Sequence, residues 1–77
     1  MKAIFTKYVG PRNVRGSRII AYDGDKNRVT VSCNHQLNSD NNHRVAAEAL
    51  CKKMNWTGAE TLIQAWHGNI GVFVFRP

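Results

Sequence analysis

The sequence predicts an α+β domain, a twisted antiparallel sheet carrying one helix, in the order β-β-β-α-β-β. Three observations predict it. Short runs rich in β-branched and aromatic residues occupy residues 2–33 and return in residues 61–76. Between them, residues 47–54 place apolar side chains at helical spacing. Clusters of Asp, Asn, Gly and Pro separate the runs and supply the dihedrals that tight reversals need. A chain of 77 residues supports one compact domain, 1–77, with one modest core.

Lys2 to Val9 reads as the first strand, because β-formers dominate it. Gly10-Pro11-Arg12-Asn13-Val14-Arg15-Gly16 then breaks regular structure, and Ser17 to Tyr22 gives a second strand. Asp23-Gly24-Asp25-Lys26-Asn27 is a turn by composition. Arg28 to Cys33 alternates, with Val29, Val31 and Cys33 on one side and Arg28, Thr30 and Ser32 on the other. That is the pattern of a half-buried strand paired with the second. A polar stretch, 34–42, leads into a helix with Ser39 or Asp40 at its N-cap. The helix runs to about Met54, with Ala47, Leu50, Cys51 and Met54 as its apolar stripe. Arg44, Glu48 and Lys52 stand four apart on the opposite side, at ion-pair spacing. Asn55 and Gly58 stop the helix. Thr61 to Trp66 and Gly71 to Arg76 are the last strands, joined through His67-Gly68-Asn69.

One helix covers one face of a sheet, yet several strands are apolar on both faces. Ile19 and Ala21 oppose Ile20 and Tyr22, Val72 and Val74 oppose Phe73 and Phe75, and Phe5 opposes Ile4 and Tyr8. An antiparallel sheet with one wet face alternates instead. Three arrangements answer this. The sheet curls and covers itself, it pairs with a second copy to form a homodimer, or its open face binds a partner through aromatics.

Charge narrows the partner. Lys plus Arg number 11 against 5 Asp plus Glu, a net charge of +6. This favours nucleic acid, DNA or RNA, or an acidic protein surface. No apolar run approaches the roughly 20 residues that span a bilayer, and the helix lacks the bulky aromatics of an interfacial anchor. The N-terminal residues do not read as a signal peptide, so a cytoplasmic location with two reduced cysteines is expected.

Arg12, Arg15 and Arg18 recur every third residue in the loop after the first strand. The planar guanidinium fork fits phosphate or carboxylate oxygens in pairs, so this loop is the expected polar contact surface. Lys7, Lys26, Arg28 and the loop amide Asn13 extend the set. Phe5, Tyr8, Tyr22, Trp66, Phe73 and Phe75 are stacking partners for bases wherever they are exposed.

Other chemistries are poorly supported. Cys33, His35, His43 and Cys51 do not follow a zinc spacing. Asp23, Asp25 and Asn27 open a calcium-loop pattern that fails at Arg28 and Asn34. Cys33 and His35 can share one side of a strand, but no third group orients them. No enzyme, metal or cofactor is expected.

The runs Lys7-Tyr8-Val9-Gly10-Pro11 and Arg15-Gly16-Ser17-Arg18-Ile19, with Asn42-His43-Arg44 and the stretch Ala46 to Met54, resemble small uncharacterised proteins of proteobacterial phages, plasmids and integrated elements. The likeness covers most of the chain up to Trp56. It implies a mobile-element accessory protein of the anti-CRISPR type, one that binds a host nucleoprotein complex and inhibits it. It assigns no residue a role.

Overall fold

Strands and helix form in the predicted order: β1 (Ala3–Val9), β2 (Arg18–Tyr22), β3 (Arg28–Ser32), α1 (Ser39–Met54), β4 (Leu62–His67) and β5 (Ile70–Phe75). The computed structural model describes residues 3–10 and 16–76. The strands make one antiparallel sheet in the order β3-β2-β1-β5-β4, an α+β fold. β1 is therefore central, between the hairpin partner that follows it and the last strand of the chain.

Register sorts the side chains. Ile4 stands opposite Phe73, Thr6 opposite Gly71 and Ala21, and Ile19 opposite Val31. These residues lie under α1, whose Ala46, Ala47, Leu50 and Cys51 are buried against them. Two alanines in the middle of the stripe let the helix axis approach the sheet closely. Ile4, Ile19, Leu50 and Phe73 are sealed from water. Burial of each stabilises the fold by roughly 1.5–3 kcal/mol. Phe73 is thus core and unavailable for stacking, and Phe75 is half-buried, edge-on to Trp56 at 6.4 Å.

The element ends differ from expectation by a residue or two, for identifiable reasons. Asn38, not Ser39 or Asp40, is the N-cap: it is extended, and its Oδ1 accepts the N–H of Asn41 at 2.8 Å. Asn55 stops the helix as expected, in the left-handed region at φ 58°. Its N–H donates to the carbonyl of Lys52 and that of Trp56 to Cys51, the paired bonds of a Schellman motif. β2 begins at Arg18 and β3 ends at Ser32. A single 3-10 turn at Ala59–Thr61 delays β4 to Leu62, and the strand extends through His67. β5 starts at Ile70, so Gly68 and Asn69 alone make the reversal, with Gly68 at φ 60°.

The polar stretch before the helix is tied down by Asn42. Its Oδ1 accepts the N–H of Asn34 at 2.8 Å, and its Nδ2 donates to the carbonyls of Asn34, Leu37 and Asn38 at 3.0–3.2 Å. Asn42→Ala removes all four hydrogen bonds. It should lower stability by about 1–2 kcal/mol, read as a lower urea midpoint with an unchanged slope.

Candidate functional site

The face of the sheet turned away from α1 carries the chemistry. Phe5 and Tyr22 are direct cross-strand partners there, with ring centroids 5.6 Å apart and planes 29° from parallel. Val72 stands on the other side of Phe5, and Lys7 stands between Ile20 and Ile70. Arg28 pairs with Tyr22, and Arg18 sits between Val9 and Ser32. The aromatic and aliphatic members are half-buried by one another, while Lys7 and Arg28 are exposed. No described helix or strand lies over this face, so the doubly apolar strands of the sequence produce an open, partly apolar surface.

The β2–β3 turn frames one end of it. Asp23 is 8% exposed, because its carboxylate is turned into the reversal. Oδ1 accepts the N–H groups of Asp25 at 2.9 Å and Asn27 at 3.0 Å, and Oδ2 accepts Asn27 Nδ2 at 3.0 Å. These bonds hold Lys26 in the left-handed region at φ 72°, unusual for a residue with a Cβ. The result is a cavity of about 520 Å³ lined by Lys7, Ile20, Tyr22, Lys26 and Arg28, with Asp23 and Asn27 at its turn end. Three cations and one phenol ring therefore share a recess. The single carboxylate beside them is occupied by the turn. Such an arrangement suits an anion attached to a planar apolar group.

Of the expected contact residues, Lys7, Lys26 and Arg28 are brought together here. Arg18 lies on the same face, away from the turn, with Nη1 buried and without a hydrogen-bond partner among the described residues. Arg12, Asn13 and Arg15 lie outside the described residues.

The helix-facing side holds a polar contact that the sequence pattern did not announce. His43 is 2% exposed, and its Nδ1 lies 2.6 Å from Thr6 Oγ1, which is also buried. Trp66 meets the imidazole edge-on at 4.7 Å. The signal was present: positions 43, 46, 47, 50, 51 and 54 continue one helical stripe, so His43 belongs to the buried face of α1. On the other side of α1, Arg44 lies 3.6 Å from Glu48 and also donates to the carbonyl of Leu62 at 3.1 Å.

Burial lowers the pKa of His43 below its ordinary 6.5, against a smaller opposing pull from Asp40. The unfolded chain then binds this proton more readily than the folded one. Stability is complete above about pH 6.5 and declines as pH falls below that value. Denaturant midpoints at about pH 7.5 and about pH 5.5 should show that decline, and His43→Gln should flatten it. Burial also pushes the Cys51 thiol up, with Glu48 adding to the effect, which disfavours a reactive thiolate. Among the described residues no three His, Cys, Asp or Glu side chains are grouped to hold a metal ion. No described helix is long and apolar enough to cross a membrane.

No protein-family model, curated protein or solved structure matches the chain.

Proposed function

We propose that this chain is a small non-catalytic binding protein whose open sheet face engages single-stranded nucleic acid. One observation carries the reading: the Phe5–Tyr22 ring pair shares a face that no described helix or strand covers with a recess containing Lys7, Lys26 and Arg28. Rings on neighbouring strands offer bases a platform worth roughly 1–3 kcal/mol per stacked base. Cations at its margin neutralise phosphates and release counterions. Duplexes hide their base faces, so they would use the cations without the rings. The net charge of +6 favours the encounter. The resemblance to mobile-element proteins supports a setting in which the strand belongs to a host nucleoprotein complex, whose inhibition follows from occupying it.

Fluorescence anisotropy with a labelled single-stranded oligonucleotide and a duplex of the same sequence tests this. Tighter binding to the single strand, weakening steeply with salt, is the expected result. Equal or tighter duplex binding, or no binding to either at low salt, contradicts it and shifts attention to an acidic protein surface.

A further inference from the structure

A second cavity, of about 470 Å³, lies beside the start of α1 and is lined by Lys7, Tyr8, Ser39, His43, Trp66 and Asn69 among others. Its volume is within the range of small-ligand sites. Its walls are unusual for so short a chain. Tyr8 is 53% exposed and Trp66 44%, two large rings left open on β1 and β4, with β5 between them. They make no ring contact with each other among the described residues, although both line the same recess. Gly71 in β5 lies opposite both Thr6 and Trp66, and its missing side chain leaves room for the Thr6–His43 contact at the floor. The His43 ring is almost sealed from solvent and its Nδ1 is committed to Thr6. Nε2 is the ring's remaining polar atom, and it has no hydrogen-bond partner among the described residues. Arg18 Nη1 is the one side-chain polar atom that is both fully buried and unpartnered among the described residues, so Nε2 keeps a small opening to solvent through which a ligand group can pair with it.

We propose that this notch binds a nucleobase with its attached phosphate. The base lies against Trp66 on the side of Tyr8, its polar edge meets His43 Nε2, and Lys7 holds the phosphate. Whether the Thr6 hydroxyl donates to Nδ1 or accepts from it, Nε2 can complete a pair with a base, as donor in the first case and as acceptor in the second. Lys7, whose register sets its side chain on the open face, lines both recesses, so the two sites adjoin at that residue and the phosphate lies toward the open face. The notch nevertheless needs no polymer, and it stands or falls independently of the open face.

The chain has two tryptophans, so a Trp56→Phe background leaves Trp66 as the reporter. Its fluorescence is followed on titration with adenosine monophosphate, with ribose 5-phosphate and with a short single-stranded oligonucleotide. Saturable quenching by adenosine monophosphate, absent with ribose 5-phosphate and weakened about tenfold or more by Tyr8→Ala, is expected from removal of one stacking ring. Tyr22→Ala, on the other face, should leave that quenching unchanged even if it abolishes strand binding. Quenching by the oligonucleotide alone, likewise weakened by Tyr8→Ala, identifies a base within a strand as the occupant and also supports the notch. No saturable quenching by either base-containing probe overturns the proposal. Equal response to ribose 5-phosphate, or a folded Tyr8→Ala variant that binds normally, does so as well.

Discussion

Replacing Gly71 by alanine should destabilise the domain by about 2–4 kcal/mol, an overpacking cost with the loss of a buried hydrogen bond added. The sign is the informative part. Glycine inside a strand normally weakens it, and alanine in its place normally stabilises by roughly 0.5–1 kcal/mol. Here a Cβ at position 71 collides with Thr6 Oγ1 and crowds His43 Nδ1 at 3.2 Å and the Phe73 ring at 3.4 Å. Relief requires Thr6 to leave His43 or β5 to move from β1. For a domain this small, the melting temperature should fall by roughly 10–20 °C. Thr6→Ala removes the colliding oxygen, so the double variant should lose less than the sum of the two single variants. A Gly71→Ala protein as stable as the parent would show that β1, β5 and α1 do not meet as closely as described.

Removing the cations of the open-face recess should have the second large effect. Lys7, Lys26 and Arg28 are all exposed or half-exposed at the surface, so their joint replacement by alanine leaves the core intact. For a single strand, each phosphate deprived of its cation reduces the slope of log affinity against log salt by about 0.7, so the triple variant's slope should be shallower by about 2. Tyr22→Ala should weaken binding by roughly tenfold or more at constant slope, because it removes stacking and no charge. The two classes of variant therefore separate the electrostatic part of binding from the aromatic part. A triple variant with an unchanged salt slope would place the phosphate contacts elsewhere, and Arg12, Arg15 and Arg18 would be the next to replace.

Much of the fold was legible because its signals are local. The alternation of Arg28 to Ser32, the turn chemistry of Asp23 to Asn27 and the stripe ending at Met54 each occupy a few consecutive residues. The expected N-cap, Ser39 or Asp40, lies one or two positions late because Asn38, Ser39 and Asp40 are all competent caps; the Asn38 side chain makes the bond. His43 was within reach of the helical period, but a histidine at the edge of a polar stretch reads as solvent-facing. Gly71 carried no local signal, since its role depends on Thr6 across the β1–β5 ladder, and that pairing joins the two ends of the chain. The candidate site divides in the same way. An apolar second sheet face was visible in Phe5, Ile20, Tyr22 and Val72. The convergence of Lys7 with Lys26 and Arg28 was not, because it arises from the β1–β2–β3 register and from the Asp23 turn.

The most direct test of the central claim is a two-dimensional amide NMR titration of the labelled protein with a short single-stranded oligonucleotide. Binding by the open face predicts salt-sensitive shifts concentrated on Phe5, Lys7, Ile20, Tyr22, Arg28 and Val72, with the exposed side of α1 at Glu48 and Lys52 unmoved. Shifts confined to α1, or an unchanged spectrum at saturating oligonucleotide, would contradict it.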